Sequence, residues 1–205
     1  MSWSLPIKTD FMKEQSQHKP SMDYAKNIYE VASRMPKDFV ALEIGSAWGF
    51  SCLAILEAGA KNILCVDPNT QAQAKNEAEA NGYGTKCQWT VCRSDKFWEE
   101  NPPHLKQSQD FSKASSRGVT YDLIYIDGSH LYRDVKPDLY EAWKRLDSHG
   151  LLMIDDFDHK KNQSVDTDGK SVEYGVSLAC WEFWRDHVSE VSDVGIQGRV
   201  LWFKK

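Results

Sequence analysis

The spacing of apolar positions changes repeatedly along the chain, and each change predicts an element. In SMDYAKNIYEVASRM (21–35), Ile28, Val31, Ala32 and Met35 recur at helical spacing, and Pro36 ends the stretch. FVALEI (39–44) is a short apolar run interrupted only by Glu43 and predicts a strand. GFSCLAILEAG predicts a helix closed by Gly59, and NILCVD a second strand. TQAQAKNEAEANG predicts a polar helix, with Thr70 as its N-cap and Gly82 as its stop. CQWTVC, YDLIYID and GLLMID predict three further strands, with the helix DVKPDLYEAWKRL between the last two. An amphipathic helix, VEYGVSLACWEFWRDHV, precedes a closing hairpin about Gly198.

Strands that alternate with helices imply a parallel sheet covered on both faces, and the terminal hairpin makes its last edge antiparallel. The expectation is one α/β domain over residues 1–205, with a helical N-terminal cap at 1–36. Residues 99–119 and 157–172 are polar, and a structureless connection of such length is uncommon within a compact domain; both are expected as surface insertions. Ligands of such sheets gather at the carboxyl ends of the strands. The unusual residues described below all fall there.

Composition narrows the picture. A net charge of −5 without a long basic run disfavours nucleic acid as the main partner. No apolar stretch is long enough for a bilayer, and the N-terminus lacks the basic and apolar regions of a signal peptide. A cytoplasmic protein is expected. The five cysteines lie in predicted strands or helices without metal-ligand spacing and read as buried free thiols rather than as a zinc site.

The first turn, Gly45-Ser46-Ala47-Trp48-Gly49, follows a strand and opens a helix. A dinucleotide loop requires a further glycine where Ala47 stands, and Glu43 would repel a pyrophosphate. A cationic ligand reverses both objections. S-adenosylmethionine carries a sulfonium and an ammonium and no phosphate, so a carboxylate beside it is favourable. Asp67, at the end of the second strand, is placed to accept the ribose hydroxyls.

LEIGSAWGFS, CVDPN, YDLIYIDGSHLYRDV and LLMIDDF resemble the class I S-adenosylmethionine-dependent methyltransferases, in particular small-molecule O-methyltransferases of the catechol type and their bacterial sugar-modifying relatives. The resemblance covers residues 20 to 157. It implies a Rossmann-like seven-stranded sheet of order 3-2-1-4-5-7-6 with an antiparallel last strand. It also implies Glu43, Gly45, Ser46 and Ser51, with Gly49 of the same loop, around the methionine part of the cofactor. Asp67 falls on the ribose, and Ser94 or Asp95 near the adenine. Here Arg93 stands where the family has glycine.

Asp127 ends the fourth predicted strand, where it is also expected as a catalytic and cofactor-binding residue near the transferred methyl group, and Asp155 and Asp156 end the fifth. In the implied order these strands are neighbours, about 4.8 Å apart. Three converging acids are costly unless one is protonated or a cation joins them, and oxygen donors suit Mg²⁺, Mn²⁺ or Ca²⁺. In catechol-type enzymes the corresponding positions hold Mg²⁺ through Asp, Asp and Asn; here the last pair is Asp-Asp. A metal would steady the anion of an acceptor oxygen during in-line methyl transfer. His130 is expected in the first turn of the next helix, where an imidazole can take the acceptor proton; in the sugar-methylating relatives a histidine in the same DGSH context is the base. The expected activity is therefore metal-assisted O-methylation of a small-molecule hydroxyl. Rival expectations are a metal-independent enzyme acting on nitrogen, protein or RNA, a cofactor-binding module without catalysis, and a nicotinamide oxidoreductase. His159, Lys160 and Lys161 read as a solvated run, with an anionic substrate as the alternative, and Trp181 or Trp184 is large enough to line a substrate mouth.

Overall fold

The structure is a computed structural model that describes residues 4–17, 19–102, 120–157, 163–165, 171–173 and 175–205. Its centre is a seven-stranded sheet built from β1 (Val40–Ile44), β2 (Asn62–Asp67), β3 (Cys87–Val91), β4 (Tyr121–Ile126), β5 (Leu146–Ile154), β8 (Asp193–Gln197) and β9 (Val200–Lys204). The spatial order is β3-β2-β1-β4-β5-β9-β8, with β9 antiparallel to both neighbours. With β9 as the seventh strand of the sheet and β8 as the sixth, this is the order expected from the sequence. A separate pair, β6 (Gln163–Val165) and β7 (Ser171–Glu173), falls on the second predicted insertion and runs one residue past its end. Most of the first insertion and the 159–161 run lie outside the described residues.

Strand alternation divides the core in two. Ala41, Ile63, Cys65, Leu123, Tyr125, Leu151, Met153 and Trp202 face α2 (Lys19–Ala32) and α3 (Phe50–Glu57). Leu42, Ile44, Val66, Ile124, Ile126, Leu152, Ile154, Leu201 and Phe203 face the side of α5 (Ser94–Glu100), α6 (Tyr132–Arg145) and α7 (Val176–His187). Period-two alternation beyond the strand ends then assigns the polar residues to faces. Glu43 follows Ala41, Asp127 follows Tyr125, and Asp155 follows Met153, so all three point to the α2–α3 side. In α7, Val176, Cys180 and Phe183 are core, as their stripe predicts.

Several boundaries differ from expectation. The helix α4 (Ala72–Ala80) is preceded by Gln71, not capped by Thr70, because the Gln71 amide is drawn into the fold to donate to Ser46 Oγ at 2.9 Å. His130 precedes α6 instead of sitting in its first turn. Ser129 Oγ accepts from Leu131 N–H at 3.2 Å and donates to Asp134 Oδ2 at 2.7 Å, so the loop is closed before the helix begins at Tyr132. Cys92 lies just past β3 and is half-buried, whereas the other four thiols are buried; all five are free. Among the described residues no helix is long and apolar enough to cross a membrane.

Candidate active site

The first turn is shaped by backbone that few residues tolerate. Gly45 has φ +89°, and a Cβ there would lie 2.2 Å from the carbonyl oxygen of Asp127. The ends of β1 and β4 can thus approach only with glycine at this position. Ala47, at the place of the missing dinucleotide glycine, nevertheless adopts a left-handed φ of +39°. The turn keeps the bend while carrying a methyl group there, and the half-exposed Trp48 packs edge-on against Phe11 at 6.0 Å. Gly49, at φ +88°, precedes α3 without a side-chain cap.

Two cavities meet over this turn, and Gly45, Ala47 and Asp127 line both. One, of about 240 Å³, is walled by Tyr24, Ser46, Trp48, Phe50, Ser51 and Arg199. The other, of about 340 Å³, is walled by Val66, Asp67, Asn69, Cys92, Arg93 and Ser94. Together they form a bent cleft at the carboxyl ends of β1, β2, β3 and β4. Asp67 is fixed at its edge by two backbone donors: Ala47 N–H to Oδ2 at 3.0 Å and Asn69 N–H to Oδ1 at 2.8 Å. Each carboxylate oxygen keeps a lone pair for a ligand hydroxyl.

Two expected cofactor residues are not on these walls. Asp95 is exposed, and its Oδ1 turns back onto Lys96 N–H at 2.8 Å and Arg93 Nε at 3.3 Å, which leaves Ser94 as the lining residue. Glu43 is fully buried beneath the cleft and lines neither cavity. Neither of its oxygens meets a donor in hydrogen-bond geometry, and burial pushes its carboxyl up to about 8 despite favourable polarity from Ser51 and Cys65. An acid with that pKa is largely neutral at pH 7. Cys52 and Cys65 approach it within 4.8 Å, a proximity that the sequence spacing did not disclose; burial holds the Cys65 thiol up at about 12.

The three strand-end acids do converge, and protein groups hold each of them. Tyr24 Oη, from α2, donates to Asp127 Oδ2 at 2.5 Å and receives the Tyr125 hydroxyl at 3.1 Å. Burial, and then the Asp127 charge, raises the Tyr24 phenol well above its ordinary value, so it acts as a donor. Arg199 Nε donates to Asp155 Oδ1 at 3.0 Å, Nη2 pairs with Asp155 Oδ2, and Nη1 lies 3.0 Å from Asp156 Oδ1. His130 Nε2 is 3.1 Å from Asp156 Oδ2 and 3.9 Å from Asp127 Oδ1. Burial and the Asp127 charge push the Asp155 carboxyl upward, and the Arg199 guanidinium, bonded to both its oxygens, opposes them. Asp156 itself has φ +58°, a conformation costly for a non-glycine residue by about 1–3 kcal/mol.

The expected metal set of Asp127, Asp155 and Asp156 does not fit this arrangement. Both Asp155 oxygens face the Arg199 guanidinium, and a third acid oxygen, Asp156 Oδ1, shares it. The donors that come within 4.8 Å of one another are Asp127, His130 and Asp156. Tyr24 and Arg199 were missed by sequence reasoning. Tyr24 had a weak signal in its place on the cap helix; Arg199, in a polar turn, had none. Trp181 and Trp184 flank an apolar slot of about 320 Å³ with Phe157, Val194 and Ile196, separate from the cleft.

The sheet order, the glycine turn and the bent cleft over it define a class I S-adenosylmethionine-dependent methyltransferase. The methyltransferase-domain family matches residues 42–157, more than half of the chain, and the protein belongs to it. No curated protein matches the chain. Among solved structures, it is similar to the O-methyltransferase TomG of Streptomyces achromogenes, involved in tomaymycin synthesis and solved with S-adenosylmethionine, at TM-score 0.65 and 16% identity, covering 98% of this chain and 92% of that one. An O-methyltransferase from Bacillus cereus in complex with S-adenosylhomocysteine aligns at TM-score 0.59 and 12% identity, over 92% and 81% of the two chains. The 1,6-didemethyltoxoflavin N1-methyltransferase of Burkholderia thailandensis aligns at TM-score 0.58 and 14% identity, over 96% and 85%.

Proposed function

We propose that the protein transfers the methyl group of S-adenosylmethionine to a hydroxyl of a small molecule, with His130 as the proton acceptor. One observation carries this reading: His130 Nε2, 3.1 Å from Asp156 Oδ2, stands beside Asp127, which lines both halves of the cleft. Asp67 and Ser94 would hold the cofactor's adenosine and Ser46 and Ser51 its methionine, which would present the methyl group for transfer near Asp127, the residue that lines both halves. Methyl transfer is a displacement at carbon. The acceptor oxygen forms the new C–O bond, the C–S bond breaks with its electron pair to sulfur, and the acceptor proton goes to His130. S-adenosylhomocysteine leaves neutral at sulfur. Asp156 holds the imidazole through Nε2, and the acceptor proton goes to the other ring nitrogen, the arrangement a general base requires.

Oxygen is preferred as the acceptor atom because a hydroxyl is a poor nucleophile until its proton leaves, and this site offers an oriented base. A similar structure with an N-methyltransferase activity makes nitrogen the main rival. A cation-assisted reading rests on Asp127, His130 and Asp156 lying within 4.8 Å of one another. A cation would need the lone pair of Nε2, the nitrogen that faces Asp127 and Asp156, whereas a base held by Asp156 keeps its proton on Nε2 and accepts at Nδ1, so the two readings exclude each other at His130.

The test is turnover of S-adenosylmethionine against panels of phenols, alcohols and amines, with product mass and connectivity determined. Hydroxyl products support the proposal, and amine products alone overturn it. His130→Gln is expected to lower kcat by about 10²–10⁴-fold, the usual contribution of a general base. Cofactor affinity should be retained.

A further inference from the structure

The acid rim contains a feature that the proposed chemistry does not require: a guanidinium stands among the carboxylates where catechol-type relatives place a divalent ion. Its position follows from the strand register. The β5–β9 ladder pairs Ile154 with Leu201, and two further steps along it set Asp156 opposite Arg199. Phe157 N–H donates to Arg199 O at 3.1 Å, which continues the pairing past the strand ends. The turn before Arg199 is closed by Gly198 at φ +60°. Arg199 is therefore held by backbone, and its side chain has only to fold over Asp155 and Asp156.

Four of the six oxygens of Asp127, Asp155 and Asp156 lie against Arg199 or Tyr24. Both Asp155 oxygens and Asp156 Oδ1 face Arg199, and Asp127 Oδ2 receives the Tyr24 hydroxyl. The remaining Asp156 oxygen lies 3.1 Å from His130. The Arg199 guanidinium also stacks over the Tyr24 ring at 4.8 Å, so the two residues brace each other. Asp155 is almost wholly buried beneath the half-buried Arg199. A divalent ion bound to the same oxygens would have to displace a fixed positive charge already paired with them, and like charges in a half-buried site repel strongly.

We propose that Arg199 replaces the divalent cation in this protein: it is a positioning residue that balances the acid rim and fixes Asp156, and through Asp156 His130, so methyl transfer here is metal-independent. This rests on the methyltransferase reading above, but the decisive measurement does not.

Mn²⁺ is titrated into the full chain and followed by electron paramagnetic resonance, with and without S-adenosylhomocysteine. The native protein is expected to leave Mn²⁺ free at millimolar concentration. Arg199→Ala, with its acids unpaired, is expected to bind Mn²⁺ at least about tenfold more tightly. Asp156→Asn in the same background should abolish that gain. Arg199→Lys keeps a cation and is expected to behave as the native protein does. Saturable Mn²⁺ binding by the native protein that Asp156→Asn removes would overturn the proposal, even if Arg199→Ala does not fold. Turnover by the native protein should persist in chelator, and loss of turnover restored by Mg²⁺ would also overturn it. Absence of methyl transfer on every acceptor would count against the activity while leaving the Mn²⁺ result to decide the role of Arg199.

Discussion

Tyr24 Oη donates to Asp127 Oδ2 at 2.5 Å, a bond between residues 103 apart in sequence. It ties the N-terminal cap to the end of β4 at the point where the two halves of the cleft meet. Removing it with Tyr24→Phe leaves a half-buried carboxylate to water and to His130. A hydrogen bond to a charged group contributes about 1.5–3 kcal/mol, and partial exposure places the expected loss near the lower end. Urea unfolding of the two proteins measures it, and an unchanged midpoint would show that the cap is not held through this bond.

The cleft assigns Asp67 and Asp95 opposite fates. In the proposed binding mode Asp67 accepts two ribose hydroxyls, so Asp67→Ala should weaken S-adenosylmethionine binding by about 10–100-fold, at roughly 1 kcal/mol per hydrogen bond. Asp95→Ala removes a carboxylate bound to its own loop and should leave affinity unchanged. Calorimetric titration of both variants checks the pair; equal losses would mean that the adenosine half extends beyond the walls described.

At the glycine turn, Gly45→Ala and Ala47→Gly should act in opposite directions. A Cβ at 45 would meet the Asp127 carbonyl at 2.2 Å, so Gly45→Ala must separate β1 from β4 and should abolish cofactor binding. Ala47 already has φ +39°. Ala47→Gly relieves that strain and should be neutral or stabilising by up to about 1 kcal/mol, whereas glycine in regular structure usually costs about that amount. Thermal unfolding distinguishes these outcomes.

Glu43 makes stability depend on pH. Burial raises its carboxyl to about 8 in the fold, above the ordinary glutamate range of the unfolded chain. The folded state then binds more protons than the unfolded state between those values. Stability is fully present below the unfolded value and is lost as pH rises toward 8. Glu43→Gln cannot ionise and should flatten the decline in melting temperature between about pH 5 and 8. A slope identical to that of the native protein would mean that Glu43 is charged in the fold.

The order of elements, the two-faced sheet and the placement of Gly45, Asp67, Asp127 and Asp156 at strand ends were legible in the sequence, because apolar period and glycine position are local signals. The convergence of Asp127, Asp155 and Asp156 also followed, once neighbouring strands were assumed. The partners of those acids were not legible. Tyr24 and Arg199 arrive from the cap helix and the terminal hairpin, and only the β5–β9 register sets Arg199 opposite Asp156. Burial likewise decided Glu43: a carboxylate at a strand end reads as a charge, but the alternation of β1 turns it under α3, where water cannot stabilise its ionised form. Tertiary structure thus determined which acids are paired, which is neutral and what cation accompanies them, because those properties depend on distance and desolvation between residues far apart in the chain.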